Sequence, residues 1–198
     1  MGYKETYNRW LTSDVVDDDT KAELKSIENN EKEIEERFYR ELEFGTAGMR
    51  GIIGAGTNRI NIYNVRRASQ GVAKYVLSNG EDAAKAGVLI GYDTRNFSRT
   101  FAEETAKVLT CAGVKTYLFP IVHSVPEVSF GIRELGCSAG VMITASHNPK
   151  EYNTVPTADN FLRTRLMLLL PQSTATIYLT MLSLFRLTRQ KKKDCLKL

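Results

Sequence analysis

Gly140-Val141-Met142-Ile143-Thr144-Ala145-Ser146-His147-Asn148-Pro149 decides how this chain is read. Four residues suited to a buried strand run straight into a loop of small and polar residues, closed by a proline that stiffens its exit. Open α/β sheets gather ligands where their strands end, so Ser146 is placed for chemistry if this segment is one strand of such a sheet. His147 and Asn148 carry donors that suit an anion on that serine. Serine, asparagine and proline also build ordinary turns, so the loop by itself leaves both readings open.

The residues upstream supply the sheet. Val65–Leu77 places Val65, Ala68, Val72 and Val76 on one helical face and stops at Asn79-Gly80. Gly87–Tyr92 is a continuous apolar strand, Ser98–Ala112 a helix with Ser98 as cap, and Val114–Phe119 a strand. Val125–Leu135 is a helix, and Ser138–Ile143 is the last clear strand. This alternation predicts an α/β fold, a three-layer α/β/α sandwich around a mixed, mostly parallel sheet. Before it, residues 1–41 read as a helical segment. Tyr3–Leu11, Thr20–Glu28 and Glu31–Glu41 form its helices, with Asp19 and Asn30 as caps for the last two. Short strands at Leu42–Phe44 and Met49–Ile53 flank a glycine-rich turn. The spacing of Gly45, Gly48 and Gly51 is not the dinucleotide fingerprint and lacks its strand-to-helix setting, which excludes nicotinamide cofactors.

Charge divides the chain. Residues 1–153 carry 19 Lys+Arg and 21 Asp+Glu, a net of 19 − 21 = −2, and residues 154–198 carry 8 and 2, a net of 8 − 2 = +6. The second part holds 11 Leu and 7 Thr with no Gly and no Glu. Leu166–Phe185 is an uncharged 20-residue window of membrane-spanning length, but Pro171, Gln172 and the Ser/Thr cluster inside it argue against a span. Lys191–Lys193 has no aromatic platform beside it, so a nucleic-acid partner is not expected, nor is a membrane. Cys111, Cys137 and Cys195 are widely spaced with no CxxC pair. Together with densely charged first residues, they suit free thiols in a cytoplasmic protein.

Three motifs in order carry a resemblance. Thr144–Pro149 with Lys150-Glu151-Tyr152-Asn153 resembles the phosphoserine loop of the α-D-phosphohexomutases, the phosphoglucomutase/phosphomannomutase family. Glu43-Phe44-Gly45-Thr46-Ala47-Gly48-Met49-Arg50-Gly51 resembles its amino-terminal active-site loop, in the wording of the bacterial branch that also holds phosphopentomutases. Gly91-Tyr92-Asp93-Thr94-Arg95, with Ser98, resembles the turn that follows. The resemblance implies that residues 42–153 are an incomplete first domain of such an enzyme. It implies Ser146 as the phosphoryl carrier, with Arg50, His147 and Asn148 binding phosphate or substrate. Mg²⁺ on the Ser146 phosphate, a hexose or pentose phosphate substrate and a glucose 1,6-bisphosphate intermediate follow from the same likeness. Asp93, Arg95 and His123 are read as structural.

Departures from the family pattern are equally specific. The family's metal loop, Asp-x-Asp-x-Asp-Arg, is not in this sequence. Pro156 stands ten positions after the serine, where the family has a proton-transferring lysine, and Thr154-Val155-Pro156 replaces a Gly-Tyr-Lys-like run. Val122-His123-Ser124-Val125-Pro126-Glu127 stands where the family has an Arg-Pro-Thr-Pro-Glu-like turn. The change of character at 154 is what a disrupted reading frame would leave, and the chain is expected to have little mutase activity. A non-catalytic protein that binds sugar phosphates, or that uses its basic tail to reach a membrane or a partner, is the competing expectation.

Overall fold

The computed structural model describes residues 2–45, 48–145, 148–155 and 186–187. Helices α1 (Tyr3–Thr12), α2 (Asp18–Ser26) and α3 (Glu31–Phe38) open the chain. They bury Tyr7, Leu24, Ile34 and Phe38 against Ala55. Asn30 caps α3 as expected, its Oδ1 accepting from the Glu33 amide at 3.2 Å. Asp17, not Asp19, caps α2. The choice within the Asp17–Asp19 run is made by Thr20, whose amide and hydroxyl donate to the two Asp17 carboxylate oxygens at 2.8 and 2.9 Å.

Strands β1 (Phe44–Gly45) and β2 (Gly48–Ile52) pair antiparallel. Helices α4 (Ile62–Ser78) and α5 (Glu81–Ala86) lead to β3 (Val88–Tyr92), and α6 (Ser98–Cys111) crosses to β4 (Thr116–Leu118). Helix α7 (Val125–Glu134) returns the chain to β5 (Ala139–Ile143). The main sheet has the order β5-β3-β4, all parallel, with a short strand at Arg186–Leu187 antiparallel at the β4 edge. This is the mixed, mostly parallel sheet that the alternation predicts.

Every residue of β3 and β5 is buried, as strands covered on both faces must be. Val88, Ile90, Tyr92, Val141 and Ile143 share one core cluster with Val65, Val72, Phe101 and Leu109 of α4 and α6. Leu89 and Met142 face the other way, against Val128 and Cys137 beside α7. That layer sits very close. A Cβ on Gly91 would lie 2.2 Å from Val128 Cγ2, and one on Gly140 would lie 2.1 Å from Ile132 Cδ1, so bare glycines are required where α7 meets the sheet.

Strand β6 (Tyr152–Val155) pairs antiparallel with β2, from Ile52↔Tyr152 to Met49↔Val155, and runs two residues past Asn153. The stretch 166–185 and the Lys191–Lys193 run lie outside the described residues. No helix among the described residues is long and apolar enough to cross a membrane. Cys137 is a buried free thiol whose pKa burial pushes up to about 11. Cys111 corrects the expectation of free thiols. It is exposed at the end of α6, where a thiol can be reached, and it is disulfide-bonded.

Candidate functional site

The site begins with a clamp. Residues 53–61 return the chain from β2 to α4, and side-chain amides hold them. Asn64 Nδ2 donates to the carbonyls of Gly56, Thr57 and Arg59 at 3.1, 3.1 and 2.7 Å. Asn61 Nδ2 donates to those of Gly54 and Gly56 at 2.9 and 2.8 Å. The acidic face of α2 and α3 is used here too. Glu23 and Glu33 pair with Arg37, and Glu33 and Glu36 with the buried Arg59. Hydrogen bonds from Arg37 hold the Glu33 carboxyl below its usual range, against the opposing effect of burial. This network fixes the exit of β2, the strand that carries Arg50.

Arg50 is exposed, lies opposite Thr154 in the β2–β6 ladder, and makes no ion pair with a described residue. The carboxylates of the acidic helices pair instead with Arg37 and Arg59. Across the ladder, the Thr144 amide donates to the Thr154 carbonyl at 3.2 Å, which joins the end of β5 to β6. Ser146 and His147 lie outside the described residues. Their flanks are well held: Ala145 is fully buried, and the Asn148 amide donates to the Ala145 carbonyl at 3.0 Å. Lys150 is exposed.

The turn after β3 fastens to the same loop. The Arg95 guanidinium donates to the Pro149 carbonyl at 2.8 Å. Asp93 Oδ1 accepts from the Arg95 amide at 3.0 Å and the Ser98 hydroxyl at 2.7 Å. Asn153 Nδ2 reaches the Asn96 carbonyl at 3.2 Å and Ser98 Oγ at 3.0 Å. These bonds give Asp93 and Arg95 bracing positions. His123, after β4, donates its amide to the Tyr92 carbonyl at 3.0 Å, and its ring lies on Phe119 with centroids 3.9 Å apart.

Chain connectivity explains why these turns meet. Strand β3 leads to α6 on one face and its neighbour β4 leads to α7 on the other, so both turns leave from the same carboxyl edge of the sheet. Three buried polar atoms near these strand ends have no hydrogen-bond partner among the described residues: His123 Nε2, Asn148 Nδ2 and Thr154 Oγ1. Such atoms are uncommon in folded proteins and are costly unless something later pairs with them.

The metal fares differently. Among the described residues no group of three or more His, Cys, Asp or Glu could hold an ion, and Asp93 Oδ1 is already engaged by two donors. The described residues therefore do not make a Mg²⁺ site.

Two features here escape sequence reasoning. Strand β6 finds its partner about 100 residues away, and no apolar alternation marks it. Phe97, in a left-handed conformation before α6, takes the cap position that the sequence assigns to Ser98.

Residues 41–161 match the family described as phosphoglucomutase/phosphomannomutase, alpha/beta/alpha domain I. The chain belongs to this family. It is 43% identical over 152 residues to the Schizosaccharomyces pombe protein named "Probable phosphoribomutase", covering 76% of this chain and 26% of that one. It is 46% identical over 121 residues to the phosphoglucomutase of Staphylococcus haemolyticus, covering 61% and 22%. A solved structure from Thermus thermophilus, described as a "putative phosphomannomutase", superposes with a TM-score of 0.52 at 30% identity, over 60% of this chain and 26% of that one. The chain thus spans about a quarter of the length of these relatives. The family's three-layer first domain is the sandwich described above.

Proposed function

We propose that this chain carries the phosphoserine domain of a mutase that interconverts glucose 1-phosphate and glucose 6-phosphate, with Ser146 as the phosphoryl carrier. The observation that bears most weight is the Arg50 guanidinium, which pairs with no described carboxylate. It lies opposite Thr154 on the β6 strand to which the end of β5 is joined, and the buried Asn148 side-chain amide, close to Ser146 in the chain, also lacks a described partner. Arg50 and Asn148 are donors without a competing carboxylate, which is what a phosphate needs. Ser146 and His147 complete the proposal from the motif alone.

In such a reaction a sugar hydroxyl attacks the phosphorus on Ser146. The new sugar O–P bond forms, the Oγ–P bond breaks, and the hydroxyl proton ends on Oγ. The glucose 1,6-bisphosphate then returns its other phosphoryl group to Oγ by the reverse step. Arg50 neutralises and orients the phosphate, since transfer of this kind depends on positioning and charge more than on covalent assistance. His147 and Asn148 hold its oxygens.

This chain should turn over little substrate. Pro156 cannot move a proton where the family uses lysine, and the aspartate loop is not in the sequence. Phosphate binding should survive. Titration of the ¹⁵N-labelled chain with inorganic phosphate and glucose 1-phosphate is expected to move the amide signals of Thr144, Asn148 and Arg50. Arg50→Ala should weaken that response about tenfold, as loss of a charge-assisted contact does. A coupled assay should detect no glucose 6-phosphate. Shifts confined to other surfaces would sink the binding reading, and brisk turnover would sink the inactivity.

A further inference from the structure

Phe97 breaks three local rules at once. It is the only non-glycine residue with positive φ among the described residues, at 64°, in a left-handed conformation that disfavours a bulky side chain. It occupies the N-cap of α6, where Ser, Thr, Asp or Asn would satisfy an amide, and it makes no side-chain cap bond. Its ring is also 56% exposed, although it stacks on Phe101 at a centroid distance of 6.0 Å. A residue held against its own preferences by a well-bonded surround is a reason to look for a function there.

The surround is well bonded. Asn96 and Ser98, on either side of Phe97, both accept from Asn153 Nδ2, and Arg95 is tied to Pro149, three residues after Ser146. Asn153 is followed by Thr154, the partner of Arg50 in the ladder. The residues flanking Phe97 are thereby tied to β6 and to the loop that follows Ser146, while its own ring is largely exposed.

We propose that Phe97 is the apolar wall on which the sugar ring of a sugar phosphate rests, and so the residue that separates sugar phosphates from free phosphate at this site. This rests on the reading of the site given above. The C–H face of a pyranose suits an aromatic face, and free phosphate has no such surface to offer.

The test uses the full chain with Phe97→Asn and Phe97→Gly, both at ease in the left-handed region. Inorganic phosphate and glucose 1-phosphate are titrated into each by NMR, and thermal unfolding is measured alongside. Relief of the backbone should raise Tm by about 2–4 °C. Inorganic phosphate affinity should not change, while glucose 1-phosphate should bind about 2- to 10-fold more weakly. An unchanged ratio of the two affinities, or equal weakening of both, would overturn the proposal. A fall in Tm would also overturn it, because the stacking on Phe101 would then account for the residue. If the unmodified chain bound neither probe, the phosphate-site reading itself would have failed first.

Discussion

The turn at residues 53–61 and the carboxyl edge of the sheet are built in opposite ways. In the turn, Asn61 and Asn64 satisfy a row of carbonyls, and Arg37 and Arg59 find carboxylates. At the edge, Asn148, Thr154 and His123 keep buried polar atoms without described partners, Phe97 is in a disfavoured conformation, and Ile121, Val122 and Val125 expose apolar surface. The same chain satisfies one region and leaves the other waiting. Stability should therefore be sensitive in the turn and indifferent, or even improvable, at the edge.

The sharpest way to break that contrast is Asn64→Leu. Asn64 is buried, and its amide serves three carbonyls that no solvent would reach after the change. A loss on the order of 3 kcal/mol is expected, read as a lower urea midpoint at constant slope. A loss below about 1 kcal/mol would mean the turn is not the rigid half of the comparison.

Next in size is Glu104, buried in α6 and bonded to Arg66 of α4 and Lys107 at 2.6 Å each. Burial pushes its carboxyl up, but the hydrogen bonds from Lys107 and Arg66 outweigh it and leave the pKa lowered. The sign follows. A carboxyl with a lowered folded pKa stabilises fully above its unfolded value, about 4.3, and loses that contribution as pH falls through the folded value. Glu104→Gln should cost about 1–2 kcal/mol at pH 7, and the two stability curves should converge under acid. Parallel curves would refute the linkage.

Much of this was legible beforehand. The apolar runs at Gly87–Tyr92 and Ser138–Ile143 read as strands, and Val65, Ala68, Val72 and Val76 as one helical face, which the structure matches to within a residue. Helix α5 was not legible, because Glu81–Ala86 is short and buries none of its residues. Neither was the capping choice at Asp17, whose carboxylate takes both the amide and the hydroxyl of Thr20. At the site, Arg50 and Asn148 could be named from a motif. Thr154 could not, since its meaning comes from a register with β2 that only the folded chain creates. Phe97 was hidden for a related reason: backbone strain has no signature in the order of residues.

Thr154→Val tests the edge with a smaller effect of opposite sign. The hydroxyl is buried without a described partner, and the backbone bonds of Thr154 do not depend on it. Replacing it by a methyl of similar shape removes a desolvation penalty, so the variant should gain about 0.5–1 kcal/mol in thermal or urea unfolding. A loss instead would place Thr154 with the satisfied half of the molecule.

Arg50→Ala should do the least to the fold and therefore separates the two regions most cleanly. Its side chain is exposed and pairs with no described carboxylate, so its removal should alter stability by no more than about 0.5 kcal/mol. The comparison with Arg37 makes the point quantitative. Arg37 bridges Glu23 and Glu33 and donates to the Ala55 carbonyl, and Arg37→Ala should cost about 2–3 kcal/mol by stranding those partners. Two arginines about a dozen positions apart would then differ in opposite directions, one felt in unfolding and silent in phosphate titration, the other silent in unfolding and felt by phosphate. If both were felt in unfolding, Arg50 would be part of the scaffold, and its charge would no longer be available to an anion at the carboxyl edge.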